Sequence, residues 1–175
     1  MALIKSISGI RGTIGGAQGE SLSPVDVVKF TSAFGQLLKS KTDLKKVIIG
    51  RDARISGELI SGLVAYSLRS LGLDVVDLGL STTPTVELAV AQEKAAGGVI
   101  ITASHNPGQW NALKLLNEKG EFISAADGEE VLRLADSNEV KFAEAKKLGS
   151  YSRLEDYIDR HIDMILQLPL VDTEA

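Results

Sequence analysis

Cysteine is absent from this chain of 175 residues, and that absence excludes several kinds of chemistry. Without thiols there is no disulfide, no zinc–thiolate site and no cysteine nucleophile. No apolar run approaches the roughly 20 residues that a membrane span needs, and the opening stretch MALIKSISGIRG has no apolar secretory-signal core. We therefore expect a cytoplasmic protein without a membrane partner.

The chain also has fewer basic than acidic residues. Lysine and arginine number 19 against 23 aspartate and glutamate residues, which gives a net charge of −4. A broad nucleic-acid-binding surface needs a basic excess, so we expect no nucleic-acid partner. The 44% hydrophobic and 24% charged residues are typical of a soluble globular protein.

The pattern that is present alternates helices with strands. Ser23 and Pro24 predict the start of a helix over 24–40, and Thr83 with Pro84 predicts another. The spacing of Asp127 and Glu130 resembles a capping box for a helix near 128–136. Further segments predict a helix over 56–72, strands over 46–50, 74–80, 97–102 and 112–117, and a short strand over 121–124. This order predicts a largely parallel sheet covered by helices on both faces, with one antiparallel edge strand.

The C-terminal segment has a different character. Leu154, Ile158, Ile162 and Ile165 fall on one face, which predicts an amphipathic helix over 153–167 that stops before Pro169. Such a helix either lies on the domain or is a tether to something further along. We therefore divide the chain into 1–152 and 153–175.

Polar loops follow three of the predicted strands. They carry Arg51–Arg54, Ser81–Pro84 and Thr102–Pro107, and parallel strands bring such loops to one edge of the sheet. A local cluster of arginines and hydroxyls on an acidic protein suits a small anion, most often phosphate. Structural roles are the alternative: Arg51 and Asp52 as a surface ion pair, residues 81–84 as a helix cap, and His161 as a helix-packing residue.

Ser104 is the residue with the strongest functional signal. Pro107 restricts its own backbone and that of Asn106, so the loop is preset rather than floppy. No G-x-S-x-G elbow, P-loop or G-x-G-x-x-G is present, and His105 is an awkward neighbour to deprotonate Ser104. The residues alone indicate a phosphate-handling α/β domain that presents a serine.

Four motifs in order resemble a known family. SGIRG (8–12), GRDARISG (50–57), STTPT (81–85) and TASHNP (102–107) are similar to the amino-terminal domain of the α-D-phosphohexomutases. That superfamily contains phosphoglucomutase, phosphomannomutase and phosphoglucosamine mutase. The resemblance implies an α/β fold, a three-layer α/β/α arrangement with a mostly parallel, mixed four-stranded sheet. Residues 1–152 would then be the phosphoserine-bearing first domain of a four-domain enzyme, and 153–175 a helix and linker toward the second.

The resemblance also implies site roles. Ser104 would be the phosphoserine that exchanges its phosphoryl group with a hexose phosphate through a bisphosphorylated sugar, and its phosphate would bind Mg²⁺. His105, Lys114 and Arg11 would be catalytic groups, and Arg11, Thr102, Asn106 and Lys114 would bind substrate or phosphate. A hexose 1,6-bisphosphate would activate the enzyme. Our hypothesis is that Lys114 shuttles a proton while Arg11 stabilises charge.

The chain departs from the family pattern in several places. It has Asn111-Ala112-Leu113-Lys114 where the family commonly has Asn-Gly-x-Lys, and Lys5-Ser6-Ile7 where many members have Phe-Gly-Thr. The Asp-Gly-Asp-Gly-Asp-Arg metal loop of the family's second domain is absent. We expect a domain fragment that is inactive alone, with the remaining domains of the polypeptide and a hexose phosphate as partners. The alternatives are a free-standing module that binds an anion or sugar phosphate without turnover, and an unrelated nucleotide-binding fold.

Overall fold

A computed structural model describes residues 2–6, 9–137 and 139–171. In this part of the chain the helices are α1 Pro24–Lys41, α2 Gly57–Ser70, α3 Thr83–Gln92, α4 Ala125–Asp136 and α5 Tyr157–Leu166. The strands are β1 Leu3–Ser6, β2 Gly9–Thr13, β3 Lys46–Arg51, β4 Asp74–Leu80, β5 Gly97–Ile101, β6 Trp110–Leu116 and β7 Tyr151–Arg153. The first residue of the SGIRG motif, Ser8, lies outside the described residues, as do positions 172–175 of the expected linker.

One mixed sheet runs through the molecule in the order β1-β2-β6-β5-β3-β4-β7. Strands β5, β3, β4 and β7 are mutually parallel, whereas β6 is antiparallel to both β5 and β2, and β1 is antiparallel to β2. The three-layer α/β/α class is therefore confirmed, but the sheet has seven described strands instead of four. The expected antiparallel strand, β6, lies inside the sheet and not at its edge.

The three unpredicted strands lack the signal that sequence reasoning uses. The β7 side chains are all exposed, and those of β1 are exposed or half-buried, so neither strand shows an apolar alternation. In β2 two of the five residues are glycine. Conversely, the strand expected over 121–124 is reduced to an isolated bridge between Leu116 and Phe122, because Ser124 already caps helix α4.

Two apolar cores lie on opposite faces of the sheet. Val47, Ile49 and Val99 face α1, α2 and α4, while Ile48 and Ile100 face α3 and Tyr157 of α5. Buried strands with side chains packed on both faces explain the nearly continuous apolar run in β3 and β5. Helices on both faces leave the strand ends as the place where polar side chains reach solvent.

Capping groups fix where the helices begin. Ser23 is the N-cap of α1, as Ser23-Pro24 predicted, and with Asp26 it also forms a reciprocal capping box that was not predicted. The cap of α3 is Thr82 and not Thr83, because the Thr82 hydroxyl accepts the Thr85 N–H at 3.3 Å. Helix α4 starts at Ala125 instead of 128, because Ser124 caps it while Asp127 forms an ion pair with Lys41.

The C-terminal helix is shorter than predicted. Tyr151–Arg153 joins the sheet as an edge strand, and α5 begins only at Tyr157. Tyr157 is buried against α3, whereas Ile158, Ile162 and Ile165 remain exposed. The boundary between 1–152 and 153–175 stays a prediction. Within the described residues, no helix has the length and apolar character required to cross a membrane.

Tyr151 offers a test of how β7 is fastened to β4. Its phenol donates a 2.8 Å hydrogen bond to Asp77, and partial burial, this bond and the Asp77 charge raise the pKa of Tyr151 to about 12. The protonated phenol therefore stabilises the fold fully below its ordinary pKa of 10.0, and this contribution is lost as pH rises through about 12. We expect Asp77→Asn to move the ionisation of Tyr151 part of the way to lower pH, measured by tyrosinate absorbance.

Asp74→Asn is the matched control for that titration. Asp74 lies on the same strand but bonds Ser150 instead of Tyr151, with a backbone hydrogen bond of 2.8 Å. Its replacement should leave the tyrosine titration in place. An unchanged titration in Asp77→Asn would show that Asp77 does not hold the Tyr151 proton.

Candidate active site

The TASHNP loop leaves the sheet at the end of β5 and returns at the start of β6. Ser104 lies at its exposed turn with φ +53°, one of two described non-glycine residues with positive φ. This left-handed conformation costs a serine about 1–2 kcal/mol, so the surrounding structure must hold it. Strained residues of this kind concentrate at functional sites, where a side chain has to be presented in one direction.

The root of the loop is fixed by Thr102 and Asp52. The Thr102 hydroxyl donates to a carboxylate oxygen of Asp52 at 2.6 Å and accepts the Ser104 N–H at 3.1 Å. Thr102 is 9% exposed and lines the same hollow as Ser104. The Thr102 hydroxyl therefore donates its proton to Asp52 and supports the backbone of the loop by accepting the Ser104 N–H.

Arg54, which the sequence grouped with the arginines expected to bind an anion, instead lies beneath the TASHNP loop. Its guanidinium pairs with Asp52 at 3.1 Å and donates to backbone carbonyls of the loop. Arg51, which the sequence paired with Asp52, instead donates to the Asp52 carbonyl oxygen at 3.2 Å. The only sequence signal for an arginine near Ser104 is the GRDARISG motif, and the motif does not indicate which of its two arginines lies against the serine loop.

Two cations face Ser104 from the neighbouring strands. Arg11 of β2 is in register with Ala112 of β6, and Lys114 lies two residues further along β6, so both point to the same face of the sheet. Neither forms an ion pair with a carboxylate among the described residues. Their charges are therefore available to an anion.

These groups line a hollow of about 290 Å³. The lining contains Ser104, Arg11, Lys114, His105 and Asn106, and among the described residues it contains no carboxylate. Its size is near the lower end for a small-molecule site. The arrangement suits a phosphate group with part of a small ligand attached.

The other predicted residues fall as follows. His105 is exposed on the loop, and Asn106 is half-buried, its N–H donating to the Ala103 carbonyl at 3.0 Å. His161 lies outside the hollow, where its Nδ1 bonds the Thr85 hydroxyl at 2.9 Å in the contact between α5 and α3.

Ala112 does not disturb the position of Lys114. It is a buried residue of β6, and it is not among the described residues with positive φ. Extended strand backbone accepts alanine without strain. The pairing of Lys114 with Ile100 in the neighbouring strand then fixes where the lysine leaves the sheet.

Phe122 is a residue that the sequence did not point out. Its ring lies 5.7 Å from the Lys114 Nζ, a cation–π distance, and it lines the hollow with 42% of its surface exposed. The sequence predicts a strand over 121–124, and a strand prediction gives no reason to place an aromatic ring beside Lys114.

A larger open groove of about 990 Å³ lies between α2 and the ends of β4 and β7. Its arginines, Arg51, Arg69 and Arg153, share the lining with the carboxylates of Glu58 and Asp77. The two carboxylates offset two of the three arginine charges, and no described non-glycine residue with positive φ lines this groove, in contrast to Ser104 in the smaller hollow. The smaller hollow is therefore the candidate active site.

Comparison with known families identifies relatives of this chain. A family model described as "Phosphoglucomutase/phosphomannomutase, alpha/beta/alpha domain I" matches residues 3–141. A phosphoglucomutase/phosphomannomutase from Thermococcus kodakarensis is 36% identical over 167 residues, covering 94% of this chain and 36% of the relative. A phosphoglucosamine mutase from Nautilia profundicola is 32% identical over 147 residues, covering 84% of this chain and 33% of the relative.

Solved structures show the same fold. A phosphoglucomutase/phosphomannomutase family protein from Burkholderia thailandensis superposes with a TM-score of 0.77 at 24% identity, over 93% of this chain and 36% of that one. A structure from Thermus thermophilus gives a TM-score of 0.76 at 27% identity, over 97% of this chain and 37% of that one. The chain thus spans about a third of the length of the relatives that it matches.

Proposed function

This chain belongs to the phosphoglucomutase/phosphomannomutase family as its α/β/α domain I, and from that membership we propose that Ser104 carries the phosphoryl group in a hexose phosphate mutase. The reaction interconverts hexose 6-phosphate and hexose 1-phosphate. The observation that carries the proposal is the exposed Ser104 hydroxyl, held on a strained turn beside two cations that lack carboxylate partners among the described residues.

The chemistry consists of two phosphoryl transfers. In the first, the bond between phosphorus and the Ser104 oxygen breaks, a bond from phosphorus to a sugar hydroxyl oxygen forms, and the hydroxyl proton passes through a base to the released Ser104 oxygen. The bisphosphorylated sugar then reorients, and its other phosphoryl group returns to Ser104. Catalysis of such a transfer depends mainly on positioning and on stabilising charge, which suits a preset loop with Arg11 and Lys114 beside it.

The cations match the charge of the proposed phosphoserine. A serine phosphate carries about −1.5 to −2 charges near neutral pH. Arg11 and Lys114 together offset this load. His105 and Asn106 line the same hollow and supply polar contacts to the phosphoryl group or the substrate.

Mg²⁺ is the metal that the family assignment suggests. The described residues contain no group of three or more histidine, aspartate or glutamate side chains arranged to hold a metal ion. The hard oxygens of a phosphate on Ser104 suit Mg²⁺, which often keeps few protein ligands when it binds phosphate. In this proposal Ser104 contributes one phosphate oxygen, and residues beyond this chain contribute the rest.

The remaining domains are the other proposed partners. Since the chain covers about a third of its relatives, we propose that sugar recognition and the other metal ligands come from further parts of the same polypeptide. The isolated chain is then expected to bind phosphate without turnover. The names of the relatives support glucose, mannose and glucosamine phosphates as substrates to test. A hexose 1,6-bisphosphate is the proposed activator, since it carries a phosphoryl group that can be transferred to Ser104.

Phosphopeptide mapping of the complete gene product tests the proposal. After incubation with a hexose 1,6-bisphosphate, we expect one phosphoryl group on the protein, located at Ser104 and transferable to a hexose monophosphate. Ser124→Ala, which alters an exposed serine at the start of α4, is the control and should leave the phosphoryl group in place. Turnover of hexose phosphates by a protein whose Ser104 never gains phosphate would contradict the proposal.

A further inference from the structure

We propose that Arg54 is a positioning residue that sets the shape of the TASHNP loop and thereby aims the Ser104 hydroxyl. The inference rests on the proposed function of Ser104 and assigns to Arg54 a role in the transfer rate without contact to the substrate. Its basis is the hydrogen-bond pattern between one guanidinium group and the backbone of the loop.

All five N–H donors of the Arg54 guanidinium are used. Nε donates to the Asp52 carboxylate at 3.1 Å. Nη1 donates to the carbonyls of Pro107 and Trp110 at 2.8 and 3.0 Å. Nη2 donates to the carbonyls of Ser104 and Asn106, both at 2.8 Å. A guanidinium has five donors in a fixed planar fork, so no other side chain satisfies this set of acceptors.

Arg54, Thr102 and Asp52, which we call the Arg54 clamp, restrain the peptide groups on both sides of Ser104. Arg54 holds the carbonyl on the C-terminal side, while the N–H on the N-terminal side bonds Thr102, whose hydroxyl donates to Asp52. Asp52 also accepts the Arg54 backbone N–H at 3.0 Å. The two restraints therefore share one carboxylate, and together they hold Ser104 at its positive φ against the strain of that conformation.

Arg54 does not serve as a ligand for the anion. Its side chain is 12% exposed and its charge faces Asp52 and four carbonyl oxygens. Arg54 is absent from the lining of the hollow, in contrast to Arg11 and Lys114. Loss of Arg54 should therefore lower kcat, which depends on the aim of Ser104, more than it raises KM.

The experiment compares Arg54→Lys and Arg54→Ala in the complete gene product. A misplacement of about 1 Å costs about 10²-fold in rate. We expect kcat to fall about 10²-fold in Arg54→Ala and about 10-fold in Arg54→Lys, because an ammonium has three donors for five acceptors. KM for the hexose phosphate should change by less than about three-fold, and added guanidinium ion, at concentrations that leave the wild type folded, should partly restore kcat in Arg54→Ala.

Arg133→Ala is the control, since Arg133 pairs with Glu130 and Glu139 on the exposed side of α4. It should leave kcat and KM unchanged. The inference is overturned if Arg54→Ala keeps kcat within about two-fold of the wild type, or if only KM changes.

If Arg54→Ala does not fold, amide hydrogen exchange in two milder variants tests the inference instead. The loop amides over 104–110 should exchange faster in Arg54→Lys and in Thr102→Val, with the sheet amides unchanged. Unchanged exchange rates of the loop amides in both variants would overturn the inference that Arg54 restrains the loop. Failure of the proposed function is distinguishable from failure of this inference. If the proposed function is wrong, the wild type carries no transferable phosphate on Ser104, and the exchange result still shows whether Arg54 restrains the loop.

Discussion

Ser104→Ala is expected to lower mutase turnover in the complete gene product by about 10⁴-fold or more, because the acceptor of the phosphoryl group is gone. The loop itself should survive the change. Both hydrogen bonds that hold residue 104 involve its backbone N–H and carbonyl, and neither involves its hydroxyl. We expect an unfolding midpoint close to that of the wild type, with no phosphoryl group gained from a hexose 1,6-bisphosphate.

Ser104→Gly separates chemistry from backbone strain. Glycine takes positive φ without the penalty that a side chain incurs, so this variant relieves the strain at 104 while also removing the hydroxyl. It should be as inactive as Ser104→Ala. Substantial turnover in either variant, with phosphate found on another residue, would move the phosphoryl carrier away from Ser104.

Lys114→Ala is expected to lower kcat by about 10²- to 10⁴-fold, the range in which a proton-transfer group contributes. Lys114→Arg tells a proton shuttle from a simple cation. Arginine keeps the positive charge but does not release its proton in proteins. If Lys114 shuttles the proton, the arginine variant should be about as slow as the alanine variant, measured by kcat under saturating hexose phosphate.

Arg11 provides the matched comparison on the neighbouring strand. In our hypothesis Arg11 only stabilises charge, so Arg11→Lys should keep most of the rate while Arg11→Ala loses it. Near wild-type kcat in Lys114→Arg would show that Lys114 acts through its charge alone. Loss of activity in Arg11→Lys equal to that in Arg11→Ala would show that the Arg11 fork geometry matters.

Much of the fold could be predicted from local signals. The start of α1 at Ser23-Pro24, the apolar run of β3 and the limits of β4 are all encoded within a few neighbouring residues, and the structure confirms them. Strand β2 pairs with β6 about a hundred residues later and β1 pairs with β2, while the residues of β1 and β2 show no strand periodicity of their own. The strand count was therefore too low although the class was right.

The candidate site also has one part that local sequence signals predict and one part that they do not. The Ser104 turn could be read from TASHNP because its proline and its position after a buried strand are local features. Arg54 could not, since four of its five acceptors are backbone carbonyls that lie 50 to 56 residues away. A carbonyl is present at every position, so the identity of the acceptor residues carries no sign of the contact.

The place of β6 in the sheet has a consequence for how the chain is made. Strand β2, which carries Arg11, joins the sheet only through β6, so the N-terminal hairpin has no sheet to join until Trp110–Leu116 has left the ribosome. Until then the apolar strand β5 has one unpaired edge, a template for association with other nascent chains. Translation that pauses within the TASHNP loop would hold the chain at this vulnerable stage, whereas synthesis of the next few residues both covers β5 and brings Arg11 to Ser104.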